Sequence, residues 1–184
     1  EEMDAVFLTE APEIESKPEE VLDFVLQNVI PNCNLTMHPK MYSFVPGPCN
    51  FISAMSDSIA TGFNIFSGGW MVSPAAAELE IVTMNWLLKI FNFPVKKGGG
   101  IITSGGSMAN LTALVTARRI KCGDDFSKAI IYLSDQAHSS NIKAIRVLGF
   151  KKEQIRILPT DVDFKLSLNK LKNEIAKDRL LGLQ

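Results

Sequence analysis

The segment Gly98 to Ala117, GGGIITSGGSMANLTALVTA, constrains this chain more than any other. Three β-branched residues, Ile101, Ile102 and Thr103, lead directly into Ser104-Gly105-Gly106-Ser107. Helical spacing follows at Leu111, Leu114 and Val115, with a second row of small residues at Ala109, Ala113 and Ala117. The pattern reads as strand, tight glycine turn and helix. Gly105 and Gly106 are free to take positive φ and to let a ligand approach the backbone. Ser107 suits an N-cap, and the N–H groups behind it lie at the positive end of the helix dipole. Such a turn binds anions, phosphate above all; a turn that needs glycine only for its geometry has the same letters. No Gly-Lys-Ser/Thr follows, which excludes a mononucleotide P-loop, and the spacing is not the Gly-x-Gly-x-x-Gly of a dinucleotide fold. Arg118, Arg119 and Lys121 suit the last turn of the helix, and Gly123 ends it.

With 184 residues the chain is long enough for one large domain with a substantial core. Its 19 basic and 20 acidic residues nearly balance, and no basic run is interleaved with aromatics. Nucleic acid and anionic membranes are therefore not expected partners. The longest apolar stretches, such as residues 85–95, are too short and too interrupted to span a bilayer. The acidic start Glu1-Glu2-Met3-Asp4 is neither a signal peptide nor an initiator methionine, so residues are expected upstream. Cys33, Cys49 and Cys122 form no CxxC, and their odd number argues against a disulfide framework. His38 and His138 are far apart, so no metal is expected, and a reducing, cytoplasmic compartment is.

Taken in order, Ser16-Lys17-Pro18-Glu19 reads as a capping box. It opens a helix with Val21, Leu22, Val25, Leu26 and Val29 inward, stopped by Pro31. Residues 31–48 are too rich in proline for a long regular element, and the apolar Met41, Tyr42, Phe44 and Val45 there should be packed or line a pocket. Phe51, Ile52, Met55 and Ile59 predict a helix closed by Gly62, and residues 63–70 a second buried turn. Ser73-Pro74 starts another helix that runs to about Phe91, apolar on two sides and so expected to be buried from two directions. Glu78 and Glu80 near its start suit the helix dipole better than acid–base chemistry. Strands are expected at 129–133 and 154–158, and helices at 140–148 and 166–177. From Ile101 onward the order is β-α-β-α-β-α, which predicts an α/β fold with a parallel sheet and helices on both faces.

The second strand runs into Ser134-Asp135-Gln136-Ala137-His138-Ser139-Ser140. In an open parallel sheet, ligands sit at the carboxyl ends of strands, so His138 is expected beside the turn at 105–107. With this segment, four pieces occur in order over residues 35–160: His38-Pro39 with Phe44-Val45-Pro46, Pro74-Ala75-Ala76-Ala77-Glu78-Leu79-Glu80, SGGSMANLTAL (104–114) and SDQAHSS (134–140). Together they resemble the group II pyridoxal-phosphate-dependent amino-acid decarboxylases, the family of the aromatic-L-amino-acid, histidine and glutamate enzymes.

The resemblance implies a fold-type-I enzyme, active as a homodimer, that uses pyridoxal 5′-phosphate to remove the α-carboxylate of an L-amino acid, aromatic or similar. It implies a helical and loop segment over residues 1–50 and the first, incomplete part of the cofactor-binding large domain over 51–184. Gly105, Gly106 and Ser107 correspond to the residues that hold the cofactor phosphate. His138 corresponds to the catalytic imidazole stacked on the pyridine ring, and Phe44, Pro46 and Gly47 to a substrate loop. Aromatic members carry Tyr-Phe-Pro-Thr where this chain has Phe44-Val45-Pro46-Gly47. The family's cofactor lysine and the aspartate on the pyridine nitrogen fall beyond Gln184; Lys143 and Asp135 do not match them. The segment alone is thus expected to be inactive and to pair with a second copy or the remainder of the polypeptide. Two other readings fit the turn: another fold-type-I lyase or aminotransferase, the latter disfavoured by SDQAHSS, and a non-catalytic phosphate-binding or assembly module.

Overall fold

The computed structural model describes residues 6–7, 10–44, 47, 49–96 and 98–184, and the chain divides into two units, Glu1–Ser67 and Gly68–Gln184. In the first unit, α1 (Pro18–Phe24) passes into a π turn over Val25–Val29 and a 3-10 turn over Ile30–Asn32. Its N-cap is Lys17 with no side-chain cap, so the box expected at Ser16 and Glu19 does not form; Pro18, with φ already helical, starts the helix instead. Pro31 removes the donor that would continue an α ladder, and the chain tightens around it. Val21, Leu22 and Leu26 are exposed rather than inward.

Helix α2 (Phe51–Phe63) opens with a full capping box: Asn50 Oδ1 accepts from the Ser53 N–H at 2.9 Å, and the Asn50 N–H donates to Ser53 Oγ at 3.1 Å. It ends one residue past Gly62, where Asn64 takes the left-handed conformation (φ 44°) that asparagine tolerates. Tyr42 and Phe44 are exposed, so the apolar loop is open within its unit.

The second unit contains α3 (Pro74–Ile90), α4 (Gly106–Cys122), β1 (Ile131–Ser134), α5 (Ser139–Val147), β2 (Ile155–Leu158) and α6 (Leu168–Leu180). No residue of α3 is fully buried: Val82, Met84, Leu87 and Leu88 are half-buried, while Leu79, Ile81, Trp86 and Ile90 are exposed and leave its apolar sides partly uncovered. Ile101 to Thr103 is not a strand: it has no ladder partner among the described residues, and a strand exists through its pairing. The sheet therefore has two strands rather than three. They run parallel in the register Ile131↔Ile155, Tyr132↔Arg156, Leu133↔Ile157 and Ser134↔Leu158.

Side-chain alternation sends the two faces of this sheet to different helices. Ile131, Leu133 and Ile155 pack on the core of Ala129, Ile145, Leu148 and Phe150, joined by Leu111 and Leu114 of α4. Tyr132 and Arg156, one residue out of phase, instead bond Asp178 of α6. Helices thus lie on both faces. On α4 the packing falls to the leucines, while Ala109, Ala113 and Ala117 are exposed. Gln154 closes the core from below: its Nε2 donates to the carbonyls of Phe126 (2.7 Å) and Ala129 (2.9 Å), and its Oε1 accepts from the Lys151 N–H.

The far edge of β1 is also engaged. The Asp135 N–H points to Leu158 on the β2 side, so the Ile130 N–H, an odd number of residues earlier, points away from β2. There it donates to the Gln184 carbonyl at 2.7 Å, while the Gln184 N–H donates to the Lys128 carbonyl at 2.8 Å, a parallel pairing around Ala129.

Candidate functional site

Helix α4 begins at Gly106 with Gly105 as N-cap, so Ser107 lies inside the first turn instead of capping it. Gly105 is extended (φ 160°), and neither it nor Gly106 occupies the left-handed region. Glycine is present here for room: a Cβ built on either residue meets nothing within 4 Å. The helical ladder starts with the Ala109 N–H on the Gly105 carbonyl at 3.0 Å. The amides of Gly106, Ser107 and Met108 come before that bond and have no acceptor within the helix. Thr103 Oγ1 donates to the same Gly105 carbonyl at 3.1 Å and steadies the turn. Three amides without an intrahelical acceptor at the positive end of a 17-residue helix, beside glycines with open space around them, could hold a phosphate-sized anion.

At the carboxyl end of β1, the Asp135 N–H donates to the Leu158 carbonyl, and Asp135 Oδ1 accepts from the Thr160 N–H at 3.2 Å. This carboxylate is spent on joining the ends of the two strands. Three residues on, His138 is the N-cap of α5, and its Nδ1 accepts from the Ser140 N–H at 3.2 Å. The Ser140 hydroxyl lies 2.9 Å from the same Nδ1 and accepts from Asn110 Nδ2 at 2.9 Å. Asn110 is one turn into α4. One side-chain bond therefore links the helix that carries the glycine turn to the residue that holds His138.

Of the residues expected at the site, the structure connects the Gly105–Ser107 turn with His138 through Asn110 and Ser140. Phe44 and Gly47 belong to the first unit; Phe44 is exposed with φ 63°, a Cβ on Gly47 meets nothing within 4 Å, and Pro46 lies outside the described residues. Lys143 is exposed on α5. Asn110 belongs to no recognisable site pattern in the sequence, although an asparagine in a helix interior, beside Leu111, disfavours the helix and invites a reason. Among the described residues no group of three His, Cys, Asp or Glu could hold a metal ion, and no helix is long and apolar enough to cross a membrane.

Residues 1–183 match the family described as the pyridoxal-dependent decarboxylase conserved domain. An aromatic-L-amino-acid decarboxylase of Bacillus atrophaeus is 43% identical over 176 residues, covering 95% of this chain and 36% of that protein. Among solved structures, Rhodiola rosea 4-hydroxyphenylacetaldehyde synthase superposes with a TM-score of 0.88 at 27% identity, over 98% of this chain and 41% of its own. The Oryza sativa TDC solved with PLP and tryptamine gives 0.87 at 27% identity, over 99% and 40%. The chain spans little more than a third of the length of the curated relatives that it matches.

Proposed function

Since the chain belongs to the pyridoxal-dependent decarboxylase family, we propose that it supplies the phosphate seat and the ring-facing histidine of an enzyme that decarboxylates an aromatic L-amino acid. The observation that carries this reading is the hydrogen-bonded link Asn110–Ser140–His138, which joins the glycine turn of α4 to the imidazole after β1. The residues fit pyridoxal 5′-phosphate: three free amides and an open glycine turn suit a phosphate, and an exposed imidazole suits a flat ring. When bound, the cofactor supplies an electron sink for the pair released as the Cα–carboxylate bond breaks.

The work left to this chain is positioning. Gly105, Gly106 and Ser107 hold the phosphate. His138, exposed at the carboxyl end of β1, would face the cofactor ring and help to orient it. By the family resemblance, Phe44, Pro46 and Gly47 are assigned to a substrate loop. The aromatic substrate class is supported by the 43% identity to the Bacillus atrophaeus enzyme. A second copy, or further polypeptide, covers the exposed apolar residues of α2 (Phe51, Ile52, Ile59, Phe63) and α3 (Leu79, Ile81, Trp86, Ile90). Three free cysteines suit the reducing cytoplasm.

The test is carbon dioxide release from L-tyrosine, L-tryptophan and L-phenylalanine by the full gene product with pyridoxal phosphate. Acid–base and orienting groups of this kind are worth roughly 10²–10⁴ in rate, so His138→Ala should lower turnover at least ~10²-fold. Undiminished turnover in that variant would reduce His138 to a helix cap.

A further inference from the structure

We propose that Asn110 and Ser140 form a positioning relay for His138, fixing both the tautomer and the rotation of its imidazole; the inference rests on the role of His138 proposed above. The direction of each bond follows from what the groups are able to donate. A backbone N–H only donates, so the Ser140 N–H at 3.2 Å makes Nδ1 the lone-pair nitrogen of the ring. The ring proton then sits on Nε2. The Ser140 hydroxyl, 2.9 Å from the same lone pair, donates its hydrogen to Nδ1. Its oxygen is left to accept, and it does so from the Asn110 amide N–H at 2.9 Å. Every donor on the line finds an acceptor, Asn110 to Ser140 to His138, with the single lone pair of Nδ1 shared between the Ser140 hydroxyl and N–H.

The surroundings distinguish a relay from a chance surface contact. Ser140 is only 5% exposed, so its hydroxyl is largely withheld from water, and a buried hydroxyl holds its partner firmly. His138 itself is exposed, so its ring has no packed walls to fix it. The rotation of that ring is therefore set from one edge, by two bonds to Nδ1. The free edge, with the Nε2 proton, is presented outward in a constant plane. Asn110 stands on the helix whose first turn is the phosphate seat, one turn away. The relay thus references the plane of the imidazole to the same helix that seats the phosphate. Orientation relative to the cofactor plane selects the bond that breaks, so a tilt of this ring affects turnover more than substrate binding.

The experiment uses the full gene product with His138→Ala as reference, and Ser140→Ala, Asn110→Ala, the double variant and Ser140→Thr. Hydrogen-bond partners that orient metal-bound histidines are typically worth about 10–100-fold, and by the same orienting logic each alanine variant should lose about tenfold in kcat with KM little changed. Because the two act through one line, the double variant should be no worse than Ser140→Ala. Ser140→Thr, which keeps a hydroxyl, should recover most of the loss. The second readout needs no cofactor: in crystals of the apo protein the His138 ring should be rotated in Ser140→Ala and native in Ser140→Thr. If the alanine variants fail to fold, Asn110→Asp keeps the shape, lacks the N–H, and should show the same loss of kcat. Wild-type kcat and a native ring in Ser140→Ala, multiplying losses in the double variant, or wild-type behaviour in Asn110→Asp would overturn the relay. Those results alongside a large defect in His138→Ala would refute the relay alone, whereas an active His138→Ala would refute the role on which it rests.

Discussion

Tyr132 donates its phenolic hydrogen to Oδ2 of Asp178 at 2.7 Å, joining β1 to α6. The same carboxylate accepts from Arg156 Nε at 3.1 Å and Nη2 at 2.7 Å, so the bond crosses both strands before it reaches the helix. Asp178 is 5% exposed and its three donors satisfy it. Removing it leaves a half-buried guanidinium and a phenol without their acceptor. Deleting one member of a buried pair costs about 3–5 kcal/mol, and the partial exposure of Arg156 lowers this to about 2–4 kcal/mol for Asp178→Ala. Tyr132→Phe, which removes one bond to a charged acceptor, should cost about 1–2 kcal/mol. Urea unfolding of the three proteins at neutral pH checks both figures; an Asp178→Ala variant as stable as the parent would make the network ornamental.

The same network sets a pH dependence with two limbs. The Arg156 bonds, then the Tyr132 bond, hold the Asp178 carboxyl below its usual range. A depressed carboxyl contributes stability that is present above the unfolded value, near 3.9, and is lost as the pH falls through the folded one. Burial first, then the bond to Asp178, pushes the Tyr132 phenol up to about 12. A raised phenol contributes stability that is present below the unfolded value, near 10, and is lost as the pH rises toward 12. Urea midpoints should therefore drop below about pH 4 and again between about pH 10 and 12. Tyr132→Phe should flatten the alkaline limb relative to the parent, and an unchanged limb would assign it to other groups.

Gln154 offers a test of donor polarity. Its amide faces the carbonyls of Phe126 and Ala129, and the residue is 7% exposed. Gln154→Glu keeps the shape but turns an ionised acceptor on two acceptors, at a cost of about 2–4 kcal/mol at neutral pH. Those carbonyls raise the folded value of the new carboxyl. Its neutral form is thus favoured in the native state, and the deficit relative to wild type should shrink as the pH falls toward about 4, where the acid regains an O–H to donate. A deficit that stays constant with pH would point to lost packing instead.

Ile145 is the one large side chain among the described residues with no exposure at all. It sits where α5 meets Ala129, Leu148 and Phe150. Ile145→Ala should cost about 2–5 kcal/mol, the larger value applying where the neighbours fail to close the cavity. Ile145→Val, which removes a single methylene, should cost about 0.5–1.5 kcal/mol. Equal losses in the two would show that the site relaxes fully.

Long elements were legible in the sequence because each carries a period that survives without context. Helices 74–90, 106–122 and 168–180 and the strands after Ala129 and Gln154 lie within a few residues of their expected places. What depends on a partner was not legible. Ile101 to Thr103 has the β-branched letters of a strand, yet no neighbour among the described residues supplies the ladder. The ends of helices turned on a choice between residues one or two apart, Asn64 over Gly62 and Lys17 over Ser16, that local propensity leaves nearly level. Around the candidate site, the helix start at the glycine turn and the place of His138 after a strand were legible from residue types and spacing. The bond that links them joins Asn110 to Ser140, 30 residues apart, and a polar pair between two helices has no periodic signature. The glycines show a subtler difference: their backbone angles are ordinary, and what they provide is empty space.

That empty space gives the most direct test of the phosphate seat. A Cβ built at position 106 meets no atom beyond its neighbours and its own helix backbone within 4 Å, and Gly106 needs no positive φ. Gly106→Ala and Gly106→Val should therefore leave the fold intact, with unfolding midpoints close to the parent, since glycine carries no conformational advantage at a helix start of this kind. A phosphate seated on the amides of Gly106, Ser107 and Met108 would occupy the space that the new side chain enters. Cofactor retention should fall with the size of the substitution, more for valine than for alanine, and inorganic phosphate should lose its protective effect against urea in the same order. Visible absorption after gel filtration measures the first and urea unfolding with and without phosphate the second. Normal cofactor retention in Gly106→Val, in a protein shown to be folded, would move the phosphate away from this turn.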